Sequence, residues 1–196
     1  MKEKLLELTQ FNWLYDHWKY LVSQLDKKDV NIIVTDLDDT IFSRNEQLEW
    51  SEELRKNRWV NWNTKIINEI WIKNYINSWV KWKDYPKNII SLLNKKTDVI
   101  ITAGFLEIQK MKVQELWITD YKMIVVNEWK DKIISTIQYI IYDLGFIPSS
   151  ITIYEDRPEF FVKYRDLLSD ILWTKIIVNK VHMTDNNTSP EIIEIK

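Results

Sequence analysis

The chain has 196 residues, 45% of them hydrophobic, with a formal net charge of -2 and no cysteine. That length suits one domain with a sizeable core and room for an insertion. The absence of cysteine excludes disulfides, thiolate metal sites and cysteine nucleophiles, and the near-neutral charge gives no overall pull toward nucleic acid or an anionic membrane.

In chain order, residues 2–26 repeat apolar positions at helical spacing, from Leu5 and Leu8 to Leu21 and Leu25, and predict one amphipathic helix. The run Ile32-Ile33-Val34 predicts a buried strand over 31–35. Helices are expected at 46–57 and 64–79, and Pro86 fits the first turn of another running to about Lys96. Strands at 98–102, 121–126, 150–154 and 174–181 then alternate with helices at 105–116, 130–144 and from Pro158 to about Leu172. That alternation is the pattern of a parallel α/β sheet. The long, mostly helical stretch between the first two strands exceeds what a crossover needs. The expected division is therefore a core of residues 1–42 and 86–183, a helical cap over 43–85, and a tail over 184–196 that has no obvious place. No apolar run approaches the roughly 18 residues of a membrane span. The N-terminus carries early acids and no signal-peptide core, so a soluble cytoplasmic protein is expected.

Two glycines, Gly104 and Gly145, stand against eleven tryptophans, where average usage gives roughly 14 glycines in a chain this long. Trp117 follows a helical pattern where a left-handed C′ residue belongs, and Trp173 occupies the same kind of slot. Trp59, Trp62, Trp79, Trp82 and Trp129 lie in polar, turn-like contexts that suit a core poorly. These are glycine-like positions. UGA is read as tryptophan in some bacterial lineages and as glycine in others, so a gene spelling them UGA would place glycine there.

Ligands of open α/β sheets bind beyond the carboxyl ends of the strands. The first strand ends in Asp36-Leu37-Asp38-Asp39-Thr40, the second in Thr102-Ala103-Gly104, and the fourth in Glu155-Asp156-Arg157; Lys130 and Lys132 follow the third. Clustered carboxylates suit a hard, oxygen-loving cation, most simply Mg²⁺, which would offset their repulsion. An ionised Asp beside it can attack phosphorus, a second Asp can move the proton, and a hydroxyl and a lysine can hold the phosphoryl oxygens. Lys130 lies three residues before Ile133 and seven before Ile137, which favours it over Lys132 as the inward lysine.

The string "DLDDT" resembles the DxDxT signature of the haloacid dehalogenase superfamily, whose members are mostly Mg²⁺-dependent phosphatases. "VIITAG" resembles its second motif, a lysine at a helix start the third, and "ITIYEDRPEF" the acidic fourth. The resemblance covers residues 31 to 180. It implies a Rossmann-like three-layer fold, with a parallel five-stranded sheet of order 5-4-1-2-3 and the helical cap inserted after the first motif. It further implies Asp36 as nucleophile, Asp38 as general acid/base and, through its backbone carbonyl, a metal ligand, Thr102 as a phosphate binder, and Asp156 as an acidic metal ligand with Glu155 beside it. Thr40 would brace the loop, and Asp39 would be a turn residue. "YEDRPEFF" also resembles the (E/D)DR block of polynucleotide 3′-phosphatase-like and RNA-repair-like branches. That would put Arg157 near substrate or in a salt bridge with Glu155.

The expected activity is hydrolysis of a phosphomonoester through an aspartyl-phosphate. The substrate would be a small phosphorylated molecule or a phosphorylated nucleic-acid end. A non-catalytic binding or scaffold protein of the same fold is the alternative of another class. Residues 44–97 hold eleven Lys/Arg against six acids, a net of +5 that would suit an anionic substrate under a basic lid.

Overall fold

The computed structural model describes residues 1–44, 79–81, 88–182 and 190–196. Six strands form the main sheet: β1 (Lys27–Thr35), β4 (Val99–Ala103), β5 (Lys122–Val126), β6 (Ile147–Glu155), β7 (Lys175–His182) and β8 (Glu191–Ile195). Their order is β5-β4-β1-β6-β7-β8. The first five run parallel, and β8 pairs antiparallel with β7. The tail left without a place is therefore the sixth, edge strand. It pairs Ile195 with Val178 and Glu191 with His182.

Alternation along the strands divides the core into two layers. Ile32, Val34, Val99, Ile101, Ile151, Ile153 and Val178 share one cluster with α1 (Lys2–Thr9), α2 (Trp13–Ser23), α5 (Asp131–Gln138) and α6 (Glu159–Leu172), through Leu5, Trp18, Val22, Ile133, Ile137, Phe161 and Leu168. Ile100 instead packs with Val113, Leu116 and Ile118, the first of these on α4 (Leu106–Glu115). Helices thus cover both faces, as a buried parallel sheet requires. Both Ile32 and Ile100 are fully buried.

Several boundaries differ from the sequence reading. The expected helix over 2–26 is two helices, because Gln10 takes a left-handed conformation (φ 62°) as the cap of α1, and its N–H closes on the Leu6 carbonyl. The helix expected from Pro86 is the short α3 (Ile89–Leu92), capped by the Asn88 side chain, which accepts from the Ile90 N–H at 2.8 Å. The helix expected over 130–144 begins at Asp131 and ends in a π-helical turn, Tyr139–Leu144. Strand β2 (Phe42–Arg44) pairs antiparallel with β3 (Trp79–Lys81), so Trp79 is in a strand and not at the end of a helix. The helix expected at 46–57, that expected at 64–79 up to residue 78, and the body of the expected cap lie outside the described residues.

The two tryptophans expected at left-handed slots are there. Trp117 has φ 59° and Trp173 φ 51°; Gly145, which ends the π turn, has φ 70°. Around Trp117 the backbone forms a complete Schellman motif. The Ile118 N–H donates to the Val113 carbonyl at 3.0 Å and the Trp117 N–H to the Gln114 carbonyl at 3.1 Å, while the Ile118 and Val113 side chains share a cluster. Trp129 is not among the residues of positive φ.

Candidate active site

The β1 chain end is held against β6. The Asp36 N–H donates to the Tyr154 carbonyl at 3.0 Å, extending the ladder by one residue and leaving Asp36 buried. The chain then turns. Asp39 adopts φ 57°, a conformation that Asp tolerates better than most residues. The Ile41 N–H returns to the Leu37 carbonyl. Thr40 is fully buried, and its hydroxyl accepts from the Asp156 N–H at 3.1 Å, which ties the acidic loop to the end of β6.

The lysine at the centre is Lys132, and the expectation that Lys130 faces inward is corrected. Lys132 is buried, with Nζ 2.7 Å from Glu155 Oε2 and 3.0 Å from Asp36 Oδ1. Lys130 precedes the first turn of α5 and is exposed, paired at 2.9 Å with Glu128. The inward face of α5 holds Lys132, Ile133, Ser135, Thr136 and Ile137. The polar Ser135 and Thr136 are thus inside with Lys132, and the Thr136 hydroxyl donates to the Lys132 carbonyl at 2.8 Å. Burial works against the Lys132 ammonium, but the carboxylates of Asp36 and Glu155 outweigh it and hold its pKa above the ordinary lysine value.

The end of β6 completes the cluster. Burial and then the nearby Asp36 push the Glu155 carboxyl well above the usual range, against the opposing pull of Lys132. Burial and Asp36 also raise Asp156. Arg157 does not pair with Glu155. Its Nε lies 3.5 Å from Asp156 Oδ2, and its guanidinium sits 4.8 Å from the centre of the Trp129 ring.

Thr102, at the end of β4, is buried, and its hydroxyl has no hydrogen-bond partner, while Asp36 Oδ1 faces the Lys132 ammonium at 3.0 Å. Buried polar atoms are usually satisfied, so an unpartnered hydroxyl in a cleft suits a site that receives a ligand or water. The cleft, of about 60 Å³, is lined by Asp36, Asp38, Thr102, Glu155 and Asp156 among others. One oxygen each from Asp36, Glu155 and Asp156 lie within 4.8 Å of one another. This all-oxygen donor set fits a hard divalent cation such as Mg²⁺.

Two further residues reach the site unannounced by the sequence reading. Lys112 Nζ lies 2.6 Å from Asp38 Oδ1, and Gln109 Nε2 donates to Asp38 Oδ2 at 3.1 Å. Both sit on the buried stripe of α4 with Ile108 and Val113. A polar pair inside an otherwise apolar stripe is the signal that could have exposed them. His17, against Trp13, and His182, exposed at the end of β7, take no part. No family model, curated protein or solved structure matches this chain. Among the described residues no helix is long and apolar enough to cross a membrane.

Proposed function

We propose that this protein is a phosphatase of the haloacid dehalogenase type, which hydrolyses a phosphomonoester through phosphorylated Asp36 with the help of Mg²⁺. The observation that carries the proposal is the convergence of Asp36, Asp156 and the unpartnered Thr102 hydroxyl on one cleft, with Lys132 ion-paired to Asp36 behind it. In the fold, the reading is supported by a mostly parallel sheet of order β5-β4-β1-β6-β7-β8, in which β1 is an inner strand with Asp36 directly after its carboxyl end.

In this reading an Asp36 carboxylate oxygen forms a bond to phosphorus as the ester P–O bond breaks. Asp38 gives the departing oxygen its proton, and then takes one from water as that water attacks the phosphorylated Asp36 and releases phosphate. Lys132 is fixed at the nucleophile and offsets charge there. Thr102 donates its free hydroxyl to a phosphoryl oxygen. Asp36 and Asp156, with the Asp38 backbone carbonyl, would hold Mg²⁺, which supplies charge neutralisation on the phosphoryl oxygens.

The test is phosphate release from a panel of phosphomonoesters with Mg²⁺, including 3′-phosphorylated oligonucleotides, by the wild-type protein and by Asp36→Asn. Turnover by the first and not the second is expected. Equal turnover, or none by either, refutes the assignment, and the second result would promote the binding or scaffold reading.

A further inference from the structure

Lys112 is a buried lysine that the reaction above does not use. Its residue exposure is 1%. Stripping an ammonium of water costs several kcal/mol unless a partner compensates. Its Nζ lies 2.6 Å from Asp38 Oδ1. The other oxygen of that carboxylate accepts from Gln109 Nε2 at 3.1 Å, and the same amide donates to the Ala103 carbonyl at 3.1 Å, which fixes which way it faces. Gly104 makes room for it. Gly104 has φ 147°, and a Cβ there would stand 2.8 Å from Gln109 Nε2. Lys112 and Gln109 thus meet one carboxylate, one oxygen each, and that carboxylate keeps 21% of its side chain exposed at the cleft.

We infer that Lys112 and Gln109 are positioning residues that hold the Asp38 carboxylate, one oxygen each, in the orientation needed for proton transfer. The inference rests on the phosphatase reading. Asp38 stands on a turning loop, where a free carboxylate would sample several rotamers. A proton-transfer group loses much of its effect when it strays by about an ångström. Each carboxylate oxygen has two acceptor sites. The clamp uses one on each oxygen and leaves the other, which carries the proton given to the leaving oxygen in the first half-reaction and accepts one from water in the second. The proton passes between Asp38 and the reacting oxygen, and Lys112 keeps its own.

The experiment is a double-mutant cycle on kcat and KM with an activated aryl phosphate and Mg²⁺. Lys112→Met should lower kcat by up to about 100-fold, the scale of a reacting group misplaced by about an ångström, with KM changed less than about threefold. In the Asp38→Asn background the same substitution should change kcat by less than about threefold, because the group it positions is gone. Lys112→Arg should recover part of the loss. If Lys112→Met fails to fold, Gln109→Leu enters the same cycle with the same criterion. Equal losses in both backgrounds overturn the inference and leave the phosphatase reading intact. A wild type without turnover overturns both. Urea unfolding of the metal-free cycle gives a readout independent of activity, in which a coupling indistinguishable from zero between Lys112 and Asp38 also overturns the clamp.

Discussion

Trp117→Gly should stabilise this protein although it removes the largest side chain. Trp117 sits at the C′ position of α4 with φ 59° and 85% exposure. The left-handed conformation costs an L-residue roughly 1–2 kcal/mol, while glycine brings an unfolded-state entropy cost of about 0.5–1 kcal/mol. Because the ring is almost fully solvated, little burial is lost. The expected gain is about 0.5–1 kcal/mol, or roughly 2–3 °C in a chain of this size. Trp173→Gly is the informative contrast. Its φ of 51° carries similar strain, but it is only 46% exposed. Removing half of a ring worth roughly 200 Å² loses about 2.5 kcal/mol at 25 cal/mol per Å², so a net loss of about 1–2 kcal/mol is expected. Thermal and urea unfolding of Trp117→Gly, Trp117→Ala and Trp173→Gly measure this. Equal stability of Trp117→Gly and Trp117→Ala would refute the reasoning, since only glycine relieves the backbone. The gene gives a second check: UGG at positions 117, 129 and 173 would refute the glycine reading of these slots.

Lys132→Met should destabilise by about 3–5 kcal/mol, because it leaves Asp36 and Glu155 buried without their cation; Lys130→Met removes only an exposed pair and should leave the midpoint of the same urea titration unchanged. Thr102→Val should abolish most phosphate release while leaving the metal-free protein as stable as before or about 1 kcal/mol more so, since the hydroxyl it removes has no partner. Tyr139 donates to the Thr97 carbonyl at 2.9 Å, and burial, then Asp98 and Asp143, push its pKa from 10 up to about 12. Its neutral form is favoured in the fold, so its contribution is complete below pH 10 and is lost as pH rises from 10 toward 12. Tyr139→Phe should lower stability by about 1 kcal/mol at neutral pH and flatten that alkaline decline in unfolding curves taken across the window.

Strand positions were legible because each of the five parallel strands is a β-branched run long enough to be buried. The acidic ends at Asp36, Thr102 and Glu155-Asp156 were legible for the same reason, since a strand end fixes where its next residues point. The break of the first helix at Gln10 was not, because no glycine or proline marks it. The sixth strand was missed because Glu191 to Ile195 reads as a short apolar tail until β7 supplies an edge. Apolar positions alone draw the inward face of α5 through Ile133 and Ile137 and so favour Lys130; the face also carries Ser135 and Thr136, beside which Lys132 lies, and an ion pair with two acids makes a lysine at home there. Lys112 was invisible for a related reason, because its partner Asp38 is 74 positions away.

That distance has a consequence for how the cleft comes into being. Lys132 is anchored on one helix while its acids end two different strands, 96 positions upstream at Asp36 and 23 downstream at Glu155. Neither acid can shed its water cheaply before the lysine arrives, nor the lysine before them. The pairs are therefore at full strength only where the helix and both strands are in place, and a ligand of this cleft would favour the completed fold over a partly folded chain.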